Sequence, residues 1–153
     1  MYRYTGTGLP NVFLKNGYQL HETPYGEGVS IHDIDGLHKA IGEMVVLSQK
    51  PLTGHEFRFL RTELDLSQAG LGGVLGCDEQ TIARFEKGKN KKISAPAERL
   101  LRVLYSKALL GEKELAPVLR NLQEIESTPP APTKLVASEG RGRKSWKLQA
   151  VAC

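Results

Sequence analysis

Residues 67–88 read Ser67-Gln68-Ala69-Gly70-Leu71-Gly72-Gly73-Val74-Leu75-Gly76-Cys77-Asp78-Glu79-Gln80-Thr81-Ile82-Ala83-Arg84-Phe85-Glu86-Lys87-Gly88. Ser67 is placed to cap a first short helix, and a tight glycine-containing turn through Gly76-Cys77 leads to Asp78, which caps a second over Glu79 to Lys87. Leu71, Val74 and Leu75 point inward from the first helix, and Ile82 and Phe85 from the second. Glu79, Gln80, Ala83 and Arg84 are left on the outer face, and Gly88 stops the chain. Two helices joined so tightly leave the second one protruding.

The outer face of that second helix carries side chains able to read base edges. Gln80 can bond an adenine edge in bidentate fashion, Arg84 a guanine edge one turn later, and Glu79 can accept from a cytosine amino group. Gln68 and the N–H groups at its helix start are placed to hold a phosphate, with Thr81, Lys87, Lys89 and Lys91 as further phosphate contacts. The segment therefore reads as a helix-turn-helix that enters a major groove of double-stranded DNA.

Composition sets the frame around this element. The chain has 153 residues, 40% hydrophobic and 25% charged, enough for one compact domain or two small ones. Its net charge of +4 is concentrated: segments 1–50, 51–93, 94–126 and 127–153 sum to −1, +1, 0 and +4. Charge thus supports DNA binding through a local patch, Lys87, Lys89, Lys91 and Lys92, and not through the chain as a whole. Cys77 and Cys153 are isolated thiols, which points to a reducing cytoplasm, and Cys77 reads as a core residue. The start shows no export signal, and the longest aliphatic run, Met44 to Leu47, is far too short to span a membrane. His21, His32, Asp33 and His38 match no metal-ligand spacing, no nucleophile stands in a recognisable catalytic setting, and no phosphate loop is present. Neither an enzyme nor a cofactor or metal site is expected.

Outward from the central stretch, Thr53 and Glu56 form a capping box for a helix with Phe57, Leu60 and Leu64 on one face. Pro96 opens a helix with Leu100, Leu101, Val103, Leu104 and Ala108 at core spacing, ending near Gly111. A last helix over Glu114 to Glu126 carries Leu115, Val118, Leu119, Leu122 and Ile125 on one face, a stripe that serves either as intramolecular core or as a dimer seam. In the first fifty residues Val12-Phe13-Leu14 and Tyr18-Gln19-Leu20 flank Asn16-Gly17, a two-residue hairpin signal. Val29 to His32 reads as a third strand, and a helix with Ile34, Leu37, His38, Ile41, Met44 and Val45 on one side follows. Beyond Ser127, the prolines at 129, 130 and 132 and Gly140-Arg141-Gly142-Arg143-Lys144 read as a disordered basic tail. Three segments result: a hairpin-plus-helix unit over 1–50, a helical domain over 51–126 and the tail over 127–153.

The run Leu60-Arg61, Leu66-Ser67-Gln68, Leu71, Leu75-Gly76, Thr81-Ile82 and Phe85-Glu86-Lys87-Gly88 resembles the Cro/cI-type (XRE-family) helix-turn-helix regulators over about Leu52 to Leu104. The resemblance implies a mainly α fold, a lambda-repressor-like bundle here preceded by the small β-hairpin/α unit. It also implies a homodimer on a palindromic operator, a transcriptional repressor, and a structural salt bridge between Arg61 and Glu86. Gly70, Gly72 and Gly73 depart from that family's pattern and predict a soft helix, each costing about 0.5–1 kcal/mol relative to alanine. The order of parts is similar to zinc-ribbon-plus-helix-turn-helix antitoxins, without their zinc cysteines. That likeness gives the alternative expectation, an antitoxin- or antiactivator-like interaction protein that binds a protein partner through residues 1–50 and autoregulates its operon.

Overall fold

Side-chain caps and 3.6-residue periodicity mark the helices locally, whereas the strands depend on partners far away in sequence. The computed structural model describes residues 1–88, 92–125, 133–141 and 146–152. In chain order they form β1 (Tyr2–Arg3), β2 (Val12–Leu14), β3 (Tyr18–Thr23), β4 (Gly26–Ile31), α1 (Ile34–Leu47), α2 (Gly54–Glu63), α3 (Gln68–Leu75) and α4 (Glu79–Lys87). Then follow α5 (Ala95–Tyr105), a π-helical turn (Ser106–Leu110), α6 (Glu112–Asn121), a 3-10 turn (Leu122–Glu124), β5 (Thr133–Glu139) and β6 (Trp146–Ala152).

The fold is mixed α/β, with 51% of the described residues helical and 22% in strands of two sheets, which corrects the expectation of a mainly α bundle. Much of the difference comes from the segment read as a disordered tail, where the described residues form two seven-residue strands. Averaging composition over that segment hides the alternation of Leu135 and Ala137, 8% and 0% exposed, with Lys134, Val136 and Ser138. β5 is a central strand in the order β1-β2-β5-β6, parallel to β2 and antiparallel to β6. Such pairing leaves no mark near either partner.

The hairpin expected at Asn16-Gly17 is also corrected. β2 and β3 belong to different sheets, and Gly17, at φ 75°, turns the chain from one to the other. A β-carbon at Gly17 would lie 2.6 Å from the Trp146 ring. Asn16 acts as a strand residue through its side chain: its amide nitrogen donates to the Glu139 carbonyl at 3.1 Å and its oxygen accepts from the Glu139 N–H at 2.6 Å. The hairpin is formed instead by β3 and β4, closed around Pro24-Tyr25 with Thr23 opposite Gly26.

Two compact units result. One contains residues 1–41 with 131–153, the other residues 42–130, so the division falls inside α1 and not at residue 50, and the C-terminal strands join the N-terminal unit. The core of the first unit is Tyr4, Leu9, Val12, Leu14, Leu37, Ile41, Leu135, Ala137 and Trp146. Tyr4 and His38 share a 2.7 Å hydrogen bond, and the Trp146 indole donates to the Asp33 carbonyl at 3.0 Å. In the second unit, Val45, Val46, Phe57, Phe59, Leu60, Leu71, Ile82, Leu101, Tyr105 and Val118 are buried. Val74, Leu100 and Leu119 are exposed at 49%, 39% and 47%, so these members of the expected apolar stripes lie outside the core. No helix among the described residues is long and apolar enough to cross a membrane.

Candidate nucleic-acid interface

Three N-caps build the site. Thr53 and Glu56 form a complete capping box on α2, the Thr53 N–H donating to Glu56 Oε1 at 2.9 Å and the Glu56 N–H to Thr53 Oγ1 at 3.1 Å. Ser67 Oγ accepts from the Gly70 N–H at 2.9 Å to start α3, and Asp78 Oδ1 accepts from the Thr81 N–H at 2.7 Å to start α4. Hydrogen bonds from the Thr81 hydroxyl and N–H hold the Asp78 carboxyl below its ordinary 3.8, helped by the Arg84 charge. Between α3 and α4 stand only Gly76, Cys77 and Asp78, with Gly76 left-handed at φ 76° and the Cys77 N–H bonded to the Gly72 carbonyl at 2.9 Å. Cys77 is half-buried, not a core residue.

The three glycines of α3 are not equivalent. A β-carbon on Gly72 would stand 2.5 Å from the Cys77 carbonyl oxygen, so the turn packs its backbone directly on the helix there. At Gly73 a β-carbon meets nothing within 4 Å. α3 is a continuous helix through all three.

α4 is seated by Ile82, wholly buried, and by Phe85, whose ring meets Phe57 edge-on at 5.7 Å between centroids. Gly54 at the start of α2 abuts the last turn of α4, where a β-carbon would lie 2.5 Å from the Glu86 carbonyl oxygen. The positive end of one helix thus faces the negative end of the other. Arg61 Nε donates to Glu86 Oε1 at 2.5 Å and its Nη1 to the Leu66 carbonyl at 2.8 Å, tying α2, the α2–α3 connection and α4 together. Gln68 enters the same network, its amide donating to Glu86 Oε2 at 2.7 Å. Its side chain is therefore turned to Glu86, not outward as a phosphate contact requires. The Arg61–Glu86 pair is the one the resemblance implies; Gln68 as its third member is not legible in the sequence, because a carboxylate's second acceptor is a three-dimensional fact.

With that side anchored, Gln80 and Arg84 are exposed on the opposite side of α4, Glu79 is exposed in its first turn, and Thr81 is half-buried beneath Arg84, which donates to its Oγ1 at 3.1 Å. Lys87 and Lys92 are exposed beyond them. Lys89 and Lys91 lie outside the described residues.

A second buried polar network passed unnoticed in the sequence. Arg102, 0% exposed on α5, donates to the carbonyls of Val46, Ser48 and Lys50 and to Glu98 Oε1, the last at 2.9 Å. Glu98 Oε1 also accepts from the Leu52 N–H at 3.0 Å. The only trace in the sequence is the i, i+4 spacing of Glu98 and Arg102, which resembles any solvated helix pair. Burial pushes the Glu56 carboxyl up, against the Thr53 hydrogen bonds, and pushes the Tyr105 hydroxyl up with help from Glu63 and Glu43.

Among the described residues no group of three or more His, Cys, Asp or Glu side chains could hold a metal ion. The chain matches no protein-family model, no curated protein and no solved structure.

Proposed function

We propose that the protein is a sequence-specific DNA-binding transcriptional regulator, a dimeric repressor that works in the cytoplasm by occluding a palindromic operator. The observation that carries this reading is the two-sidedness of α4: Ile82 and Glu86 are locked into the unit, while Glu79, Gln80 and Arg84 project from it with unused hydrogen-bonding capacity. A rod held on one side and polar on the other fits the width of a major groove. Gln80 reads adenine, Arg84 guanine and Glu79 a cytosine amino group, while Thr81, Lys87, Lys89 and Lys91 hold phosphates. Gln68 contributes through the backbone N–H groups of the α3 start and by steadying Glu86. The reading assigns no catalytic step and no cofactor.

Fluorescence anisotropy of the full chain with the DNA upstream of its own gene and with scrambled DNA, at two salt concentrations, tests it. Tighter binding to the upstream sequence is expected. Arg84→Ala costs about 1–3 kcal/mol on that site and relaxes specificity there, whereas Lys87→Ala weakens all sequences alike and lowers the salt slope by about one. Binding that is steep in salt but blind to sequence overturns the proposal.

A further inference from the structure

Strand edges differ sharply in how well they are guarded. β1, one edge of the four-stranded sheet, is two residues long and carries Arg3. The edges of the β3–β4 sheet carry Glu22 and Glu27 with Gly26 and Gly28. β6, the other edge of the four-stranded sheet, has seven residues, Trp146-Lys147-Leu148-Gln149-Ala150-Val151-Ala152, no proline and one charge. Its ladder to β5 runs unbroken through seven pairs, so no bulge twists it away. Lys147 and Gln149 to Ala152 are exposed, Val151 at 45%. A long, unbulged, nearly uncharged edge offers a row of backbone donors and acceptors to another strand.

We infer that β6 pairs antiparallel with β6 of a second copy of this chain, about a two-fold axis at Gln149, joining the two sheets into one. The sequence is self-complementary about that residue. Trp146 then faces Ala152 and Leu148 faces Ala150, large against small on the side of the sheet that carries Leu135 and Ala137. On the other side Lys147 lies against Val151, and Gln149 meets its own copy, amide to amide. The two Lys147 charges stand four residues apart, about 14 Å along the strand, beyond the screening length of about 8 Å. Parallel pairing in register would set Lys147 directly against itself, so charge selects the antiparallel arrangement. The interface is isologous, as a two-fold dimer requires. It shares with the proposed function only the dimeric state and does not rest on base reading by α4; its test contains no DNA, so loss of the β6 pairing and loss of sequence-specific binding are read separately.

The test uses the full chain and sedimentation equilibrium. A dimer is expected, with Val151→Lys weakening its dissociation constant about tenfold by opposing Lys147 twice per dimer. Adding Lys147→Glu to Val151→Lys restores dimerisation, a rescue that general damage to the fold would not show. In a background with Cys77→Ser and Cys153→Ser, Gln149→Cys forms a disulfide-linked dimer on oxidation, and Lys147→Cys does not. A monomer at all concentrations, a dimer indifferent to Val151→Lys, or self-linkage of Lys147→Cys overturns the inference. So does a chain that stays monomeric while β6 binds a synthetic extended peptide of unrelated sequence.

Discussion

The α2–α4 segment and the β2–β5–β6 sheet obey different codes. Each helix in 54–87 starts at its own cap, Thr53, Ser67 or Asp78, within three residues of the N–H it satisfies. The sheet brings Val12 beside Leu135 and Leu14 beside Ala137, partners more than a hundred residues away. A local interaction is written where it acts; a ladder is written in two places and readable only when both are together. The helical segment should therefore fail by losing tertiary ties, and the sheet by losing a partner strand.

The largest expected effect is on the ties. Arg102→Met leaves Glu98 buried without its ionic partner, with the Leu52 N–H still donating to it, takes the Arg102 donors from three carbonyls, and should destabilise the fold by about 3–5 kcal/mol in denaturant unfolding. If unfolding is unchanged, the helices of that unit hold together without this tertiary tie. Leu135→Ala, in the central strand, should cost about 2–4 kcal/mol and speed amide exchange in β2 and β6. Exchange confined to β5 would show that the three strands do not form one cooperative unit.

The glycines of α3 sharpen the comparison at smaller cost. Gly73→Ala should stabilise by about 0.5–1 kcal/mol, since a β-carbon there meets nothing. Gly72→Ala should destabilise, because Cys77 blocks the space. Equal gains at both sites would show that the turn is not packed on α3.

The smallest effect is in pH, where the α2 and α4 caps act in opposite senses. Asp78 is held below 3.8, so its contribution to α4 is present above that value and is lost as pH falls through the lowered one. Burial raises Glu56 above 4.5, so its contribution is present below that value and is lost as pH rises through the raised one. Carboxyl NMR titration of the two residues should give midpoints displaced in opposite directions.

Legibility followed distance along the chain. Thr53 with Glu56, Ser67 and Asp78 could be read because a cap and its N–H are near neighbours. Asn16-Gly17 carries the two-residue hairpin signal, but the positive φ of Gly17 serves a crossing between sheets instead. Val74, Leu100 and Leu119 show the same limit, since helical spacing names a face but not its covering. The disordered reading of 127–153 failed where Leu135 and Ala137 found Val12 and Leu14.

The sequence by itself determined where helices 2 to 4 begin and which side of α4 is apolar, because capping and periodicity are properties of neighbouring residues. Only the tertiary structure decided that the chain is mixed α/β, that Gln68 turns to Glu86, that Arg102 lies buried and that β6 stands at an open edge. Those depend on which distant groups meet, and burial converts such meetings from indifferent to costly to break.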